Sequence, residues 1–389
     1  MPPLSLYLHI PFCQRKCPYC DFNTYAGREG RYEAYARALA ADLRRAGLAM
    51  GRPEVPTVFL GGGTPTVLES EQLQTIFAGL RDGFRPLPLA EITSEANPGA
   101  VDQSRFERLR RLGVNRLSMG VQSFAGDELR FLGRIHSAGE AEEAFGLARR
   151  AGFDNINLDF MFGLPGQRPE TWRRTLDQAL DLGPEHLSLY SLIVEPETPL
   201  ADWVASGRVP DPDPDLAADL YELACERLQA AGYEHYEISN WARGPLLADG
   251  LPAYACRHNL VYWRNQPYLG FGPGAHSWWG GKRWSVGRSV EHYIRAAAVH
   301  TPPHDYEEDI SPALAMGETM MVGLRLLGVG VEREPFRQRF GREVAEVWPA
   351  ELAELAARGL IEISDERVRL TQRGWLLGNQ VFGAFLPEV

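Results

Sequence analysis

The sequence predicts an α/β fold: a partial (β/α)6 TIM-like barrel followed by a small C-terminal winged-helix-like domain. Three observations predict it. Six short β-branched or apolar runs alternate with longer segments of helical period, the pattern of βα units around a parallel sheet. The 389 residues are 44% hydrophobic, enough for one large core and a smaller one. From about Pro196 the regularity weakens, and a helix-then-hairpin order resumes after Ser311.

The strand candidates are Leu4 to Ile10, Pro56 to Leu60, Glu91 to Glu95, Arg116 to Met119, Ile156 to Phe160 and His186 to Leu192. Between them, Ser137-Ala-Gly-Glu140 forms a capping box before the stripe Ala141, Ala144, Phe145 and Ala148. A second helix runs through Phe106, Leu109 and Leu112 and stops at Gly113. Pro210-Asp-Pro-Asp-Pro marks a loop before a helix through Leu223 and Leu228, and Trp241 to Trp284 holds five of the nine tryptophans. Ser311-Pro312 opens a helix through Met316 and Met320, and Ile361-Glu-Ile with Val368-Arg-Leu reads as a hairpin. The expected division is a barrel over 1–235, an aromatic-rich connecting segment over 236–305 and a C-terminal domain over 306–389. In such a barrel the chemistry sits at the C-terminal ends of the strands and in the loops that follow.

With 40 basic and 51 acidic residues the net charge is −11, and the segment from Ser311 onward carries 9 basic against 11 acidic residues. Neither offers the basic stripe that phosphate backbones require, so nucleic acid is not an expected partner. No apolar run approaches the ~18–20 residues of a bilayer span, and Met1 to His9 has no basic n-region or cleavage pattern. The expectation is a cytoplasmic protein with no integral span, compatible with peripheral membrane contact and with a homodimer.

Cysteine placement is more informative than the count of five. Cys225 and Cys256 stand alone, with Cys225 at helical spacing from Tyr221 and Leu228. Cys13, Cys17 and Cys20 crowd into eight residues just after the first strand. Three thiolates at this spacing can hold three irons of a [4Fe–4S] cluster and leave the fourth open to an exogenous ligand. The alternative is a structural zinc, which closes with four protein ligands. No fourth cysteine is near, and His9, the one substitute, lies within the strand pattern.

Cys-X3-Cys-X2-Cys after the first strand of a βα repeat resembles the radical S-adenosylmethionine (SAM) superfamily. Tyr7-Leu-His9-Ile-Pro11-Phe-Cys13 and Cys17-Pro-Tyr19-Cys20-Asp-Phe22 resemble its oxygen-independent coproporphyrinogen oxidase group, and more closely the haem-chaperone branch of that group. The resemblance covers nearly the whole chain and implies a [4Fe–4S] cluster, SAM and haem as cofactors. It implies that Tyr7, Gly62 and Glu95 contact the cluster-bound SAM, and that Tyr19, Gly63, Thr64, Gln122, Arg134 and Asp159 match a second SAM site. These types suit SAM: a carboxylate pairs with its ammonium, an amide or carboxylate holds ribose hydroxyls, and arginine forks onto its carboxylate. Gly61-Gly62-Gly63-Thr64 lets backbone approach a ligand, although a tight strand-to-helix turn uses the same residues.

Two departures weaken the oxidase reading. The oxidase pattern has a further cysteine where this chain has Phe22, and an extension before the tyrosine strand, whereas Tyr7 stands almost at the start. His258-Asn-Leu-Val-Tyr262-Trp263 resembles the His-Asn-X-X-Tyr-Trp motif of the haem chaperones, with His258 as haem ligand beside two aromatic rings. His276 and Cys256 are weaker alternatives. The expected function is a radical SAM haem chaperone that delivers haem to respiratory proteins. Its rivals are a coproporphyrinogen oxidase and a SAM-dependent RNA-modifying enzyme.

Overall fold

The computed structural model describes residues 4–297, 299 and 304–387. Six strands, β1 (Ser5–Ile10), β2 (Glu54–Gly62), β3 (Arg85–Ala96), β4 (Arg116–Gln122), β5 (Ile156–Phe162) and β6 (His186–Ser191), lie side by side in chain order. All five pairings are parallel, with registers such as Leu8 with Leu60, Leu60 with Ser94, Met119 with Leu158 and Leu158 with Leu187. Parallel strands need crossover helices, and these cover the sheet; that is why β1 and β5 are mostly apolar and are buried along most of their length.

Every predicted strand is present, but β2 and β3 begin earlier than the sequence suggests. Prolines 56, 86 and 88 look like strand breakers because they cannot donate to a ladder. A register shift between Val55 and Thr57 absorbs the interruption, and the pairing continues through Val55 with Pro86 and Glu54 with Arg85. The capping box of the helix Ala138–Arg150 forms as expected, with Ser137 N–H and Oγ both bonded to Glu140.

The chain divides into two units, and residues of the connecting segment 236–305 contribute to both. Residues 1–227, 267–279 and 283–308 form the larger unit; residues 228–266, 280–282 and 309–389 form the smaller. Within the larger unit the strand Tyr268–Phe271 pairs in parallel with β1, Leu8 opposite Phe271, and the strand His276–Trp279 continues the sheet antiparallel. The physical reason is the open edge of β1: an unpaired edge presents a row of unsatisfied N–H and C=O groups, and this segment satisfies them.

In the smaller unit Ser311 caps the helix Pro312–Gly323 through a bond from Leu314 N–H of 3.2 Å. Val331–Glu332, the helices Arg333–Phe340 and Pro349–Ala357, and the hairpin Ile361–Ile363 with Arg367–Leu370 follow, giving the winged-helix-like order and a three-stranded antiparallel sheet. Met320, Leu324, Phe336, Leu352, Val381 and Phe385 form its core. Among the described residues no helix is long and apolar enough to cross a membrane.

Candidate metal centre and ligand site

The cysteine triplet sits in the loop that leaves β1. Cys13 N–H donates to Tyr25 C=O (3.0 Å) and Tyr25 N–H to Pro11 C=O (2.8 Å), which clips the two ends of the loop together. Phe12, fully buried against Tyr32 and Tyr35 with ring centroids 4.6 and 5.1 Å away, anchors the residue before Cys13. The turn after β2 supports the same loop, with Gly63 N–H on Ile10 C=O (2.8 Å) and Thr64 N–H on Phe12 C=O (2.7 Å). A Cβ at Gly63 would lie 2.4 Å from the Phe12 oxygen, so only glycine allows these two turns to touch.

The three thiols are half-buried on this rigid frame. Burial pushes the Cys13 thiol up, and Cys17 and Glu95 add to it; burial followed by the neighbouring cysteines does the same to Cys20. Donors face the sulfurs: Thr64 Oγ1 lies 3.7 Å from Cys13 Sγ, and Arg134 Nη1 lies 3.4 Å from Cys17 Sγ. Thiols that oppose one another's ionisation are held as thiolates by a strongly cationic centre, so the donor set fits an iron–sulfur cluster. Among the described residues no three His, Cys, Asp or Glu side chains are arranged around a single metal ion. A [4Fe–4S] cube instead places one thiolate on each of three irons.

The mouth of the barrel lies beyond this loop. Tyr7 OH donates to His9 Nδ1 (3.2 Å), and His9 Nε2–H donates to Asn23 C=O (2.9 Å), which fixes the tautomer of a buried histidine whose pKa burial lowers. Gly62, at φ +102°, turns its N–H onto Glu95 Oε2 (3.1 Å), and a Cβ there would lie 2.4 Å from the His9 ring. Glu95 ends β3 and Asp159 lies on β5. Burial first, then the nearby Asp159, raises Glu95 to about 8 against the opposing Gly62 bond. Burial raises Asp159 to about 6, although Asn157, Ser118, Arg116 and Ser188 all favour its charged form. Two buried carboxyls, one of which disfavours the charge of the other, form a receptor for a cation.

Gln122 closes β4 at φ +73°, where the register against β5 shifts between Gly120 and Gln122. Such a conformation costs a non-glycine residue about 1–3 kcal/mol and concentrates at ligand sites. Arg134 Nη2 is bonded to Gly120 C=O (2.6 Å), and the Tyr19 hydroxyl bonds to Cys17 and Arg134. The cysteines and all nine residues matched to SAM therefore occupy one unit, Tyr7 and Asp159 within β1 and β5 and the others near strand ends or in the segments that follow them.

Several residues of this site escape sequence reasoning. His136 bonds Val121 C=O at 3.0 Å, and burial followed by Arg134 lowers its pKa to about 4. Arg116, Asn157 and His186 are buried inside the barrel. Their signal was polar residues two apart in otherwise apolar strands, Arg116 and Ser118, Asn157 and Asp159, His186 and Ser188, which point to one face.

His258 belongs to the smaller unit, on the helix Arg257–Trp263. It is 1% exposed, its Nε2 lies 3.0 Å from Tyr262 OH, and the two rings meet edge to face at 5.3 Å. Cys256 caps the same helix and donates its N–H to Tyr236 OH (3.2 Å), while His276 is exposed on a strand of the larger unit.

A parallel barrel with three half-buried cysteines after its first strand, carboxylates on β3 and β5 and an arginine beyond β4, defines a radical SAM protein. The Radical SAM superfamily model matches residues 7–179, and the HemN C-terminal domain model matches residues 310–377. The chain is 40% identical to the heme chaperone HemW of Bacillus subtilis (strain 168) over 386 residues, 99% of this chain and 100% of that one. It is 46% identical to the heme chaperone HemW of Escherichia coli (strain K12) over 279 residues, 71% of this chain and 70% of that one. Its structure superimposes on the coproporphyrinogen III oxidase HemN of Escherichia coli, a radical SAM enzyme, with a TM-score of 0.85 at 26% identity, covering 100% of this chain and 91% of that one. The chain belongs to the HemW branch of the HemN-like radical SAM proteins. That family implies a [4Fe–4S] cluster and SAM.

Proposed function

We propose that the protein is a haem carrier that delivers haem to respiratory proteins. In this reading Cys13, Cys17 and Cys20 hold the cluster, and SAM lies at its open iron within reach of Tyr7, Gly62 and Glu95. Tyr19, Gly63, Thr64, Gln122, Arg134 and Asp159 line a second SAM position, and His258 is the haem ligand. The cluster supplies a metal position open to SAM's amino and carboxylate groups. Glu95 holds the ammonium, and Arg134 pairs with a carboxylate.

The observation that carries this reading over the oxidase is the helix Arg257–Trp263. It sets an imidazole edge to face with Tyr262, one residue before Trp263, in a chain whose relatives of matching length are named heme chaperones. Phe22 adds support: it is 58% exposed and stands where the oxidase pattern has a cysteine.

The test is to supply the reconstituted protein with SAM, a low-potential reductant and coproporphyrinogen III. A carrier leaves the porphyrinogen unconverted while retaining a saturable haem site, whereas decarboxylation at a catalytic rate would transfer the assignment to the oxidase.

A further inference from the structure

The barrel interior beneath Asp159 is polar where an apolar filling is the rule. Asn157, on β5, spends every hydrogen-bonding valence of its amide. Its Oδ1 accepts from His186 Nδ1–H (2.6 Å) and Ser188 Oγ–H (3.0 Å), and its Nδ2 donates to Ser118 Oγ (2.7 Å) and Asp159 Oδ1 (2.7 Å). Because the Asp159 carboxylate only accepts, it fixes the amide's orientation, and the amide in turn fixes His186 as the Nδ1–H tautomer.

Accessibility within this network is graded. Asn157 and His186 are 1% and 0% exposed, Ser188 and Ser118 are buried, and only Asp159 is half-buried. A buried polar cluster is justified when it is fully satisfied, and this one ends on its least buried member, a single carboxylate.

We infer that Asn157, braced by His186 and Ser188 of β6, is the positioning residue of Asp159: it aims the carboxylate at the barrel mouth and keeps it ionised for a cationic or hydroxyl-rich part of SAM. This rests on the reading that Asp159 contacts SAM. The charged and titratable groups around Asp159 are Glu95 from β3, whose own ionisation Asp159 opposes, and Arg116 from β4, which favours that of Asp159. His186 from β6 is neutral, because burial and Arg116 hold its pKa well below the usual value. With Arg116 fixed and His186 uncharged, the Asn157 N–H is the largest hydrogen-bonding support of the carboxylate charge, ahead of the Ser118 and Ser188 hydroxyls.

The test is calorimetric titration of the reconstituted protein with SAM between pH 6.5 and 8.5. In Asn157→Leu the lost donor raises Asp159, so affinity falls about tenfold at pH 6.5 and returns to within about twofold of wild type at pH 8.5. Ser188→Ala, which removes one hydroxyl, shifts the profile in the same direction by less, and it keeps the question answerable if Asn157→Leu does not fold. A misfolded or loosened barrel would not regain affinity with pH. Curves parallel to wild type, or superimposed on it, would overturn the inference. Asp159→Asn separates the two claims: affinity lost at every pH upholds the carboxylate as a SAM contact. Wild-type binding by that variant would overturn the SAM reading and the inference with it.

Discussion

Glu95 concentrates the electrostatics of the site in one side chain. Its carboxyl is raised to about 8 by burial and by Asp159, so near neutral pH the folded protein holds a proton that the unfolded chain has released. Stability falls with rising pH wherever the native state binds more protons than the unfolded one. For Glu95 the fall runs from its ordinary value near 4.5 up to about 8. The buried histidines, with lowered pKa values, act in the opposite direction below about 6.5, so the carboxyl contribution stands clear between pH 6.5 and 8. In that window the melting temperature of the SAM-free protein should drop, and Glu95→Gln should flatten the drop; an unchanged slope would place the raised carboxyl elsewhere. If Glu95 holds the SAM ammonium as proposed, that ammonium replaces the proton. Removing this partner in Glu95→Ala costs about 1.5–3 kcal/mol, which by calorimetry is one to two decades of affinity.

The cluster loop shows how an element is held by its neighbour. The turn after β2 meets the turn after β1 through Gly63, and a methyl group there would meet the backbone oxygens of Phe12 and Ile10 at 2.4 and 2.7 Å. Gly63→Ala should therefore destabilise the protein by about 1–3 kcal/mol, the usual cost of overpacking, and lower the iron content after reconstitution. A variant with full iron content and wild-type melting would show that the contact yields easily. The helix Arg257–Trp263 gives the converse case, because the Tyr262 hydroxyl occupies His258 Nε2. If His258 ligates iron, Tyr262→Phe removes a competing bond of about 1 kcal/mol and should tighten haem binding roughly fivefold. Weaker binding would mean that Tyr262 touches haem itself.

Such couplings mark the limit of what the chain reveals by itself. The six strands and the cysteine loop are legible because period and spacing are local properties. So is Glu95, as a carboxylate near the end of β3, whereas Asp159, expected near a strand end, lies in the middle of β5 because that strand continues to Phe162. The start of β3 was hidden because Pro86 and Pro88 read as breakers, and only the register shift beside Val55 shows how the ladder tolerates them. The joining of Tyr268–Phe271 to β1 was hidden because nothing in either segment encodes a pairing across some 260 residues. Arg116, Asn157 and His186 were hidden because their function lies in one another's bonds.

At the scale of the whole molecule, a barrel and a smaller unit divide the chemistry: the cysteines and the residues matched to SAM belong to one, and His258 to the other. Mutations should separate accordingly. Replacing Cys13, Cys17 or Cys20 with Ala should abolish the brown chromophore, whereas Cys225→Ala and Cys256→Ala should retain it; the reverse pattern would overturn the ligand assignment. His258→Ala should leave the cluster spectrum intact. The measurement that bears most directly on a haem-carrying radical SAM protein is therefore an anaerobic haem titration of the reconstituted wild type and of His258→Ala, followed at the Soret band. A saturable Soret band in the wild type, shifted or diminished in His258→Ala with the iron–sulfur absorption unchanged, is the expected result. A wild type that never saturates with haem would contradict the carrier function.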